Sequence, residues 1–154
     1  MTGVGLVVFA PVAGLVIPLG EVPDPVFAGA MVGPGLAIDP ARQATDAVAP
    51  IDGTVVKLHP HAFVVADAQG SGVLVHLGID TVQLKGEGFR LHVAEGAVVS
   101  AGDVLVSWDP AAVEAGGRSP VCPVVALDAA EDALSDFAPQ GDIKPADPLF
   151  TWSR

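Results

Sequence analysis

The chain has 154 residues, enough for one ordinary domain with its own core. Hydrophobic residues make up 51% of it, which excludes an intrinsically disordered chain. Eighteen acidic side chains against seven basic ones leave a net charge of -11, which excludes nucleic acid and anionic lipid as partners and favours basic or apolar protein surfaces.

The 18 glycines and 14 prolines fall between Val-rich stretches, the pattern of short strands joined by frequent turns. The first apolar stretch, Val4-Gly5-Leu6-Val7-Val8-Phe9, lacks the basic start of a signal peptide, since the first Lys or Arg is Arg42. Pro11, Gly14 and Pro18 interrupt it too early for a membrane span, so no direct membrane insertion is expected. The lone cysteine, Cys122, has no intramolecular disulfide partner, which points to a reducing, cytoplasmic setting.

Strands are predicted at residues 6–8, 14–18, 37–39, 53–58, 62–66, 72–76, 104–108, 121–127 and 149–152. Helical signal is thin. A turn is expected within residues 23–30, and Asp109-Pro110-Ala111-Ala112-Val113-Glu114-Ala115-Gly116 carries an Asp cap, a first-position Pro and a closing Gly. Residues 42–48 read as a polar connection. Two segments repeat: Ala10-Pro11-Val12-Ala13-Gly14-Leu15-Val16 returns as Ala49-Pro50-Ile51-Asp52-Gly53-Thr54-Val55. A fainter pair, residues 95–105 and 140–149, reads as strand, Gly-Asp turn and strand. The expectation is an all-β chain: an antiparallel β-sandwich or flattened barrel with an internal pseudo-repeat and one or two short helical turns. Residues 1–154 are read as a single domain.

There are four histidines: His59, His61, His76 and His92. The run Gly72-Val73-Leu74-Val75-His76-Leu77-Gly78-Ile79-Asp80 delivers a histidine at a strand end, with a Gly and an Asp just beyond. Such a ring is either a packed side chain or a phosphoryl acceptor, which needs a neutral ring with a fixed tautomer. His59 and His61, at i and i+2 of a strand, would point the same way and read as a weak metal pair. His92 reads as a surface residue with no role.

At these residues the sequence resembles the glucose-class enzyme IIA proteins of the bacterial phosphoenolpyruvate:sugar phosphotransferase system. The matching run is Val75-His76-Leu77-Gly78-Ile79-Asp80-Thr81-Val82-Gln83-Leu84-Lys85-Gly86-Glu87-Gly88-Phe89. His61-Ala62-Phe63 looks like the family's His-Ala-Phe, and Val22-Pro23-Asp24-Pro25-Val26-Phe27-Ala28 is similar to its Val-Pro-Asp-x-Val-Phe-Ala. Val32-Gly33-Pro34-Gly35-Leu36-Ala37-Ile38 and Ala49-Pro50-Ile51-Asp52-Gly53-Thr54 follow in order.

The resemblance implies a phosphotransferase component that uses no cofactor. It implies that His76 accepts the phosphoryl group from phosphorylated HPr and passes it to a cysteine of an enzyme IIB domain, which serves an enzyme IIC sugar permease. It implies that His61 stabilises the moving group, with Asp80 in support and Pro25, Val26, Phe27 and Val82 lining the docking rim. It allows binding to regulated proteins, and a partner-dependent zinc at His61 and His76. Where the family usually carries Thr, two positions before the His of His-Ala-Phe, this chain has His59, which either supplies a hydrogen bond in support of the site or points away from it. Without an apolar span for an enzyme IIC domain, the chain reads as a free-standing enzyme IIA or a domain expressed alone, and Met1 with the lack of a linker favours the former.

Two rival readings are a zinc peptidase on a similar sandwich, using His59, His61 and His76 as ligands, and a biotinyl or lipoyl carrier. The second needs a lysine at a hairpin tip between acidic or Met neighbours, and Lys85, in Leu84-Lys85-Gly86-Glu87, lacks that context.

Overall fold

The computed structural model describes residues 5–153. In chain order its elements are β1 (Gly5–Phe9), β2 (Gly14–Pro18), α1 (Pro25–Ala28), β3 (Gly35–Pro40), β4 (Thr45–Val48), β5 (Gly53–His59), β6 (Ala62–Ala66), β7 (Gly72–His76), β8 (Arg90–Leu91), β9 (Val98–Val99), β10 (Val104–Trp108), α2 (Pro110–Ala115), β11 (Cys122–Ala126), β12 (Leu134–Ser135), β13 (Gly141–Ile143) and β14 (Pro148–Ser153). Single 3-10 turns cover Leu19–Glu21, Thr81–Leu84 and Glu131–Ala133. The expected antiparallel β-sandwich is found, with every strand pair antiparallel.

One sheet has eight strands in the order β13-β2-β3-β11-β7-β6-β5-β9, and two three-stranded sheets run β1-β14-β12 and β4-β10-β8. The long sheet reads the same from either end when β13 is exchanged with β9, β2 with β5, β3 with β6 and β11 with β7. The repeats seen in the sequence carry this symmetry. Phe9 N–H donates to Pro50 O at 2.8 Å, and Val48 N–H donates to Pro11 O at 2.9 Å. The fainter pair closes both halves alike: Ala10 N–H donates to Asp147 O and Ala49 N–H to Asp103 O. Asp103 and Asp147 each accept from the backbone three residues earlier, at Ser100 and Lys144. At the chain ends, β1 and β14 pair with Gly5 opposite Ser153.

Residues 42–48 are not only a polar connection. Their second half is β4, whose Ala47 and Val48 are buried while Asp46 stays exposed. The charges hid a strand that buries only its far end.

Val8, Val16, Ile38, Val55, Phe63, Val75, Leu105 and Phe150 belong to one core built from all three sheets. A second, smaller cluster lies on the opposite face of the long sheet: Leu19, Val22, Phe27, Ala37, Ile79 and Val125. All five residues of β11 are buried because the strand is covered on both faces, Val124 by the main core and Val125 by the second cluster. The lid over the second cluster is α1. Asp24 caps it by accepting from Val26 N–H at 2.9 Å, and Pro25 takes the first position, where no N–H is needed. The second helix, α2, repeats the device with Asp109 and Pro110, as expected from its sequence.

Candidate active site

Alternation along β7 turns Val73 and Val75 into the main core and leaves Leu74 and His76 on the face that carries the second cluster. The β6–β7 register sets Ala62 opposite His76, so His61, one residue before β6, arrives beside it. Leu77 N–H donates to His61 O at 2.7 Å and joins the two segments directly. The His61 and His76 rings meet edge to face, with centroids 5.2 Å apart and planes at 68°.

His76 Nδ1 lies 2.5 Å from the Gly78 carbonyl oxygen. A carbonyl only accepts, so Nδ1 carries the proton and Nε2 keeps its lone pair. Burial pushes the His76 pKa below the ordinary 6.5, against the Gly78 carbonyl and the charges of Asp24 and Asp80, which raise it. His61 is lowered further, to about 4, first by burial and then by the neighbouring rings of His76 and His59. Both rings are therefore neutral at pH 7.

The Gly78 carbonyl is aimed by an unusual turn. Gly78 has φ 81°, in the left-handed region, and Asp80 has φ 60°. A side chain on Gly78 would also stand 2.7 Å from Thr81 Cγ2. Asp80 itself is exposed and sits at the start of the Thr81–Leu84 turn, from which Val82 projects, 60% exposed. On the other side, Phe27 of α1 packs against His76 with centroids 5.3 Å apart, while Pro25 and Val26 face outward. Of the predicted residues, His61 and Phe27 thus meet the His76 ring and Asp80 acts on it by charge, while Pro25, Val26 and Val82 are exposed on the segments that carry Phe27 and Asp80.

His59 joins them by a route other than the expected one. It is the last residue of β5, and His61 lies in the turn that follows, so the pair does not share a strand face. The turn folds the two rings into a stack, 5.7 Å between centroids and 23° between planes. His92 lies elsewhere, just past β8 and beside β10, with Nε2 2.6 Å from Ser107 Oγ, which in turn donates to Asp46. Among the described residues, no group of three or more His, Cys, Asp or Glu is arranged to hold a metal ion, which leaves the three-histidine peptidase reading without a ligand set. Cys122 is fully buried, with its thiol donating to Pro120 O and its pKa pushed up to about 12 by burial, the state of a packing residue.

One residue that acts on His76 has no role in the reading of the sequence, although it lies in a matching segment. Asp24 caps α1 and its charge acts on His76. The Asp-Pro pair that marks a helix start was the available signal.

A family model described as phosphoenolpyruvate-dependent sugar phosphotransferase system, EIIA 1, matches residues 6–131. The chain belongs to this family. The glucose-specific EIIA component of the phosphotransferase system from Bacillus cereus is 44% identical over 128 residues, which cover 80% of this chain and 76% of that one. A glucose-specific EIIBCA component from Corynebacterium glutamicum is 43% identical over 122 residues, 78% of this chain but 18% of the relative. The solved structure of glucose permease IIA from Mycoplasma capricolum superposes with a TM-score of 0.88 at 35% identity, covering 96% of both chains. The chain is accordingly a phosphotransferase component, a phosphoryl carrier in sugar uptake. No helix among the described residues is long and apolar enough to cross a membrane.

Proposed function

We propose that His76 Nε2 is the atom that carries the phosphoryl group, received from phosphorylated HPr and handed to a cysteine of an enzyme IIB domain in the cytoplasm. The observation that carries this reading is the His76 Nδ1 contact with the Gly78 carbonyl, which leaves Nε2 as the one free nucleophilic nitrogen of a neutral ring. In the first step the Nε2 lone pair forms a bond to phosphorus as the bond from phosphorus to the donor histidine breaks. The His76 ring then gains positive charge while Nδ1 keeps its proton. The Gly78 carbonyl and the carboxylates of Asp24 and Asp80, which favour the cationic ring, stabilise that charge where it develops. In the second step a thiolate attacks phosphorus from the opposite side, and the electron pair returns to Nε2.

His61 is neutral and one ring away, so it donates a hydrogen bond to a phosphoryl oxygen without competing as a cation for the acidic residues. His59 stacks on the His61 ring and holds its plane, taking the place of the family's Thr. Pro25, Val26 and Val82, exposed beside a polar centre, form the apolar rim for transient docking, with Phe27 behind it. The same rim is offered to regulated proteins. His61 and His76 supply two ring nitrogens, so a zinc ion there needs further ligands from a partner.

Incubation with enzyme I, HPr and phosphoenolpyruvate, followed by mapping of the labelled residue, tests the assignment. The label is expected on His76, acid-labile and alkali-stable, and absent from His76→Ala. Stoichiometric labelling of that variant overturns it.

A further inference from the structure

Thr81 is fully buried, and it is the polar side chain most completely enclosed among the described residues. A valine would fill the same space, so the hydroxyl needs a reason. It donates to the Leu77 carbonyl at 2.8 Å. Leu77 stands between His76 and Gly78, and its own N–H is bonded to His61 O at 2.7 Å. The Thr81 hydroxyl therefore grips the residue that joins the nucleophile to the carbonyl holding its proton.

The gripped turn needs support. Glycine allows the left-handed backbone at Gly78, but the same conformation at Asp80, a non-glycine residue, persists only where the surroundings hold it. Two contacts do so. Ile79 N–H donates to Ser119 O at 2.8 Å from outside the turn, and the Thr81 hydroxyl closes it from within. The Thr81 methyl group lies where a Gly78 side chain would point, so it also blocks the turn from rotating inward.

We propose that Thr81 is a positioning residue for phosphoryl transfer: through the Leu77 carbonyl it fixes the turn that aims the Gly78 carbonyl at His76 Nδ1, and so fixes the tautomer that leaves Nε2 free to attack. The inference rests on the reading of His76 as the acceptor. Without the hydroxyl the turn relaxes and the Gly78 carbonyl loses its aim. The ring then populates the tautomer protonated on Nε2, which has no lone pair to offer phosphorus.

The test compares Thr81→Val, which keeps the shape and removes the hydroxyl, with Thr81→Ser, which keeps the hydroxyl. Ring-nitrogen NMR of histidine-labelled protein reads the tautomer, and labelling by phosphorylated HPr reads the rate. Wild type and Thr81→Ser are expected to show the Nδ1-protonated form alone. Thr81→Val is expected to show both forms and to be labelled more slowly by on the order of tenfold to a hundredfold, the scale of a small misplacement of a reacting group. A merely structural threonine would lower the melting temperature and leave the tautomer untouched. Wild-type tautomer and rate in Thr81→Val overturn the proposal, and so does Thr81→Ser behaving like Thr81→Val. If Thr81→Val does not fold, the wild-type hydroxyl proton decides: slow exchange supports the bond to Leu77, and free averaging with water overturns it. The tautomer measurement needs no phosphoryl donor. A wild type that never labels on His76 therefore sinks the carrier reading while the Thr81 comparison still stands.

Discussion

Replacing His61 by Gln removes an imidazole that the fold keeps neutral. In the folded chain His61 takes its proton only near pH 4, whereas the unfolded chain takes it near 6.5. Between those values the unfolded state holds more protons, so stability is full above pH 6.5 and falls as the pH drops toward 4. The difference between 6.5 and about 4, at 1.36 kcal/mol for each pH unit, corresponds to ~3 kcal/mol for a ring sealed from water. His61 is only half-buried, and solvent screening reduces this to ~1–2 kcal/mol. Glutamine does not titrate, so the variant escapes this loss. Urea unfolding at pH 7 and pH 4 should show wild type losing ~1–2 kcal/mol more than His61→Gln over that interval, at matched m values. Equal losses in the two proteins, or a wild-type His61 ring that titrates near 6.5 by NMR, would refute the burial argument.

The same His61→Gln variant should accept a phosphoryl group yet pass it to enzyme IIB slowly, and normal transfer in a coupled assay removes His61 from the stabilising role. Gly78→Ala combines a left-handed backbone at a non-glycine residue with a 2.7 Å approach to Thr81 Cγ2, which together cost ~2–4 kcal/mol by denaturant melts. Its labelling by phosphorylated HPr should also collapse. Asp24→Asn keeps the helix cap and removes the charge, so its melting temperature should match wild type while His76 titrates at lower pH. An unchanged His76 titration in that variant means that Asp24 does not act on the ring.

Much of the frame could be read from the chain alone. The strands β2, β6, β7 and β10 match their predicted spans because each is a short apolar run rich in Val, bounded by turn or polar residues. The two helices were marked by Asp-Pro starts. The strands β8 and β12 were missed because two residues are too few to show a period, whereas β9 and β13 fall in the fainter repeat, which reads as strand, turn and strand. At the site, alternation alone could bring His76 to a strand end, but its meeting with His61 depends on the β6–β7 register, which only the family motifs conveyed. The His59–His61 stack arises from a two-residue turn and has no periodic signature. Thr81 looked like one more letter of a matching run, since nothing in its neighbours says that its hydroxyl is the buried one.

The pairing of β1 with β14 sets Gly5 and Ser153 side by side. A neighbouring domain joined at either end would therefore leave from the same corner of the sandwich. In the Corynebacterium glutamicum relative the matching stretch is about a fifth of a much longer chain. For such a fused carrier, the time that the histidine mouth spends near its acceptor depends on tether length rather than on which end is tied, because one exit point fixes the radius of its search.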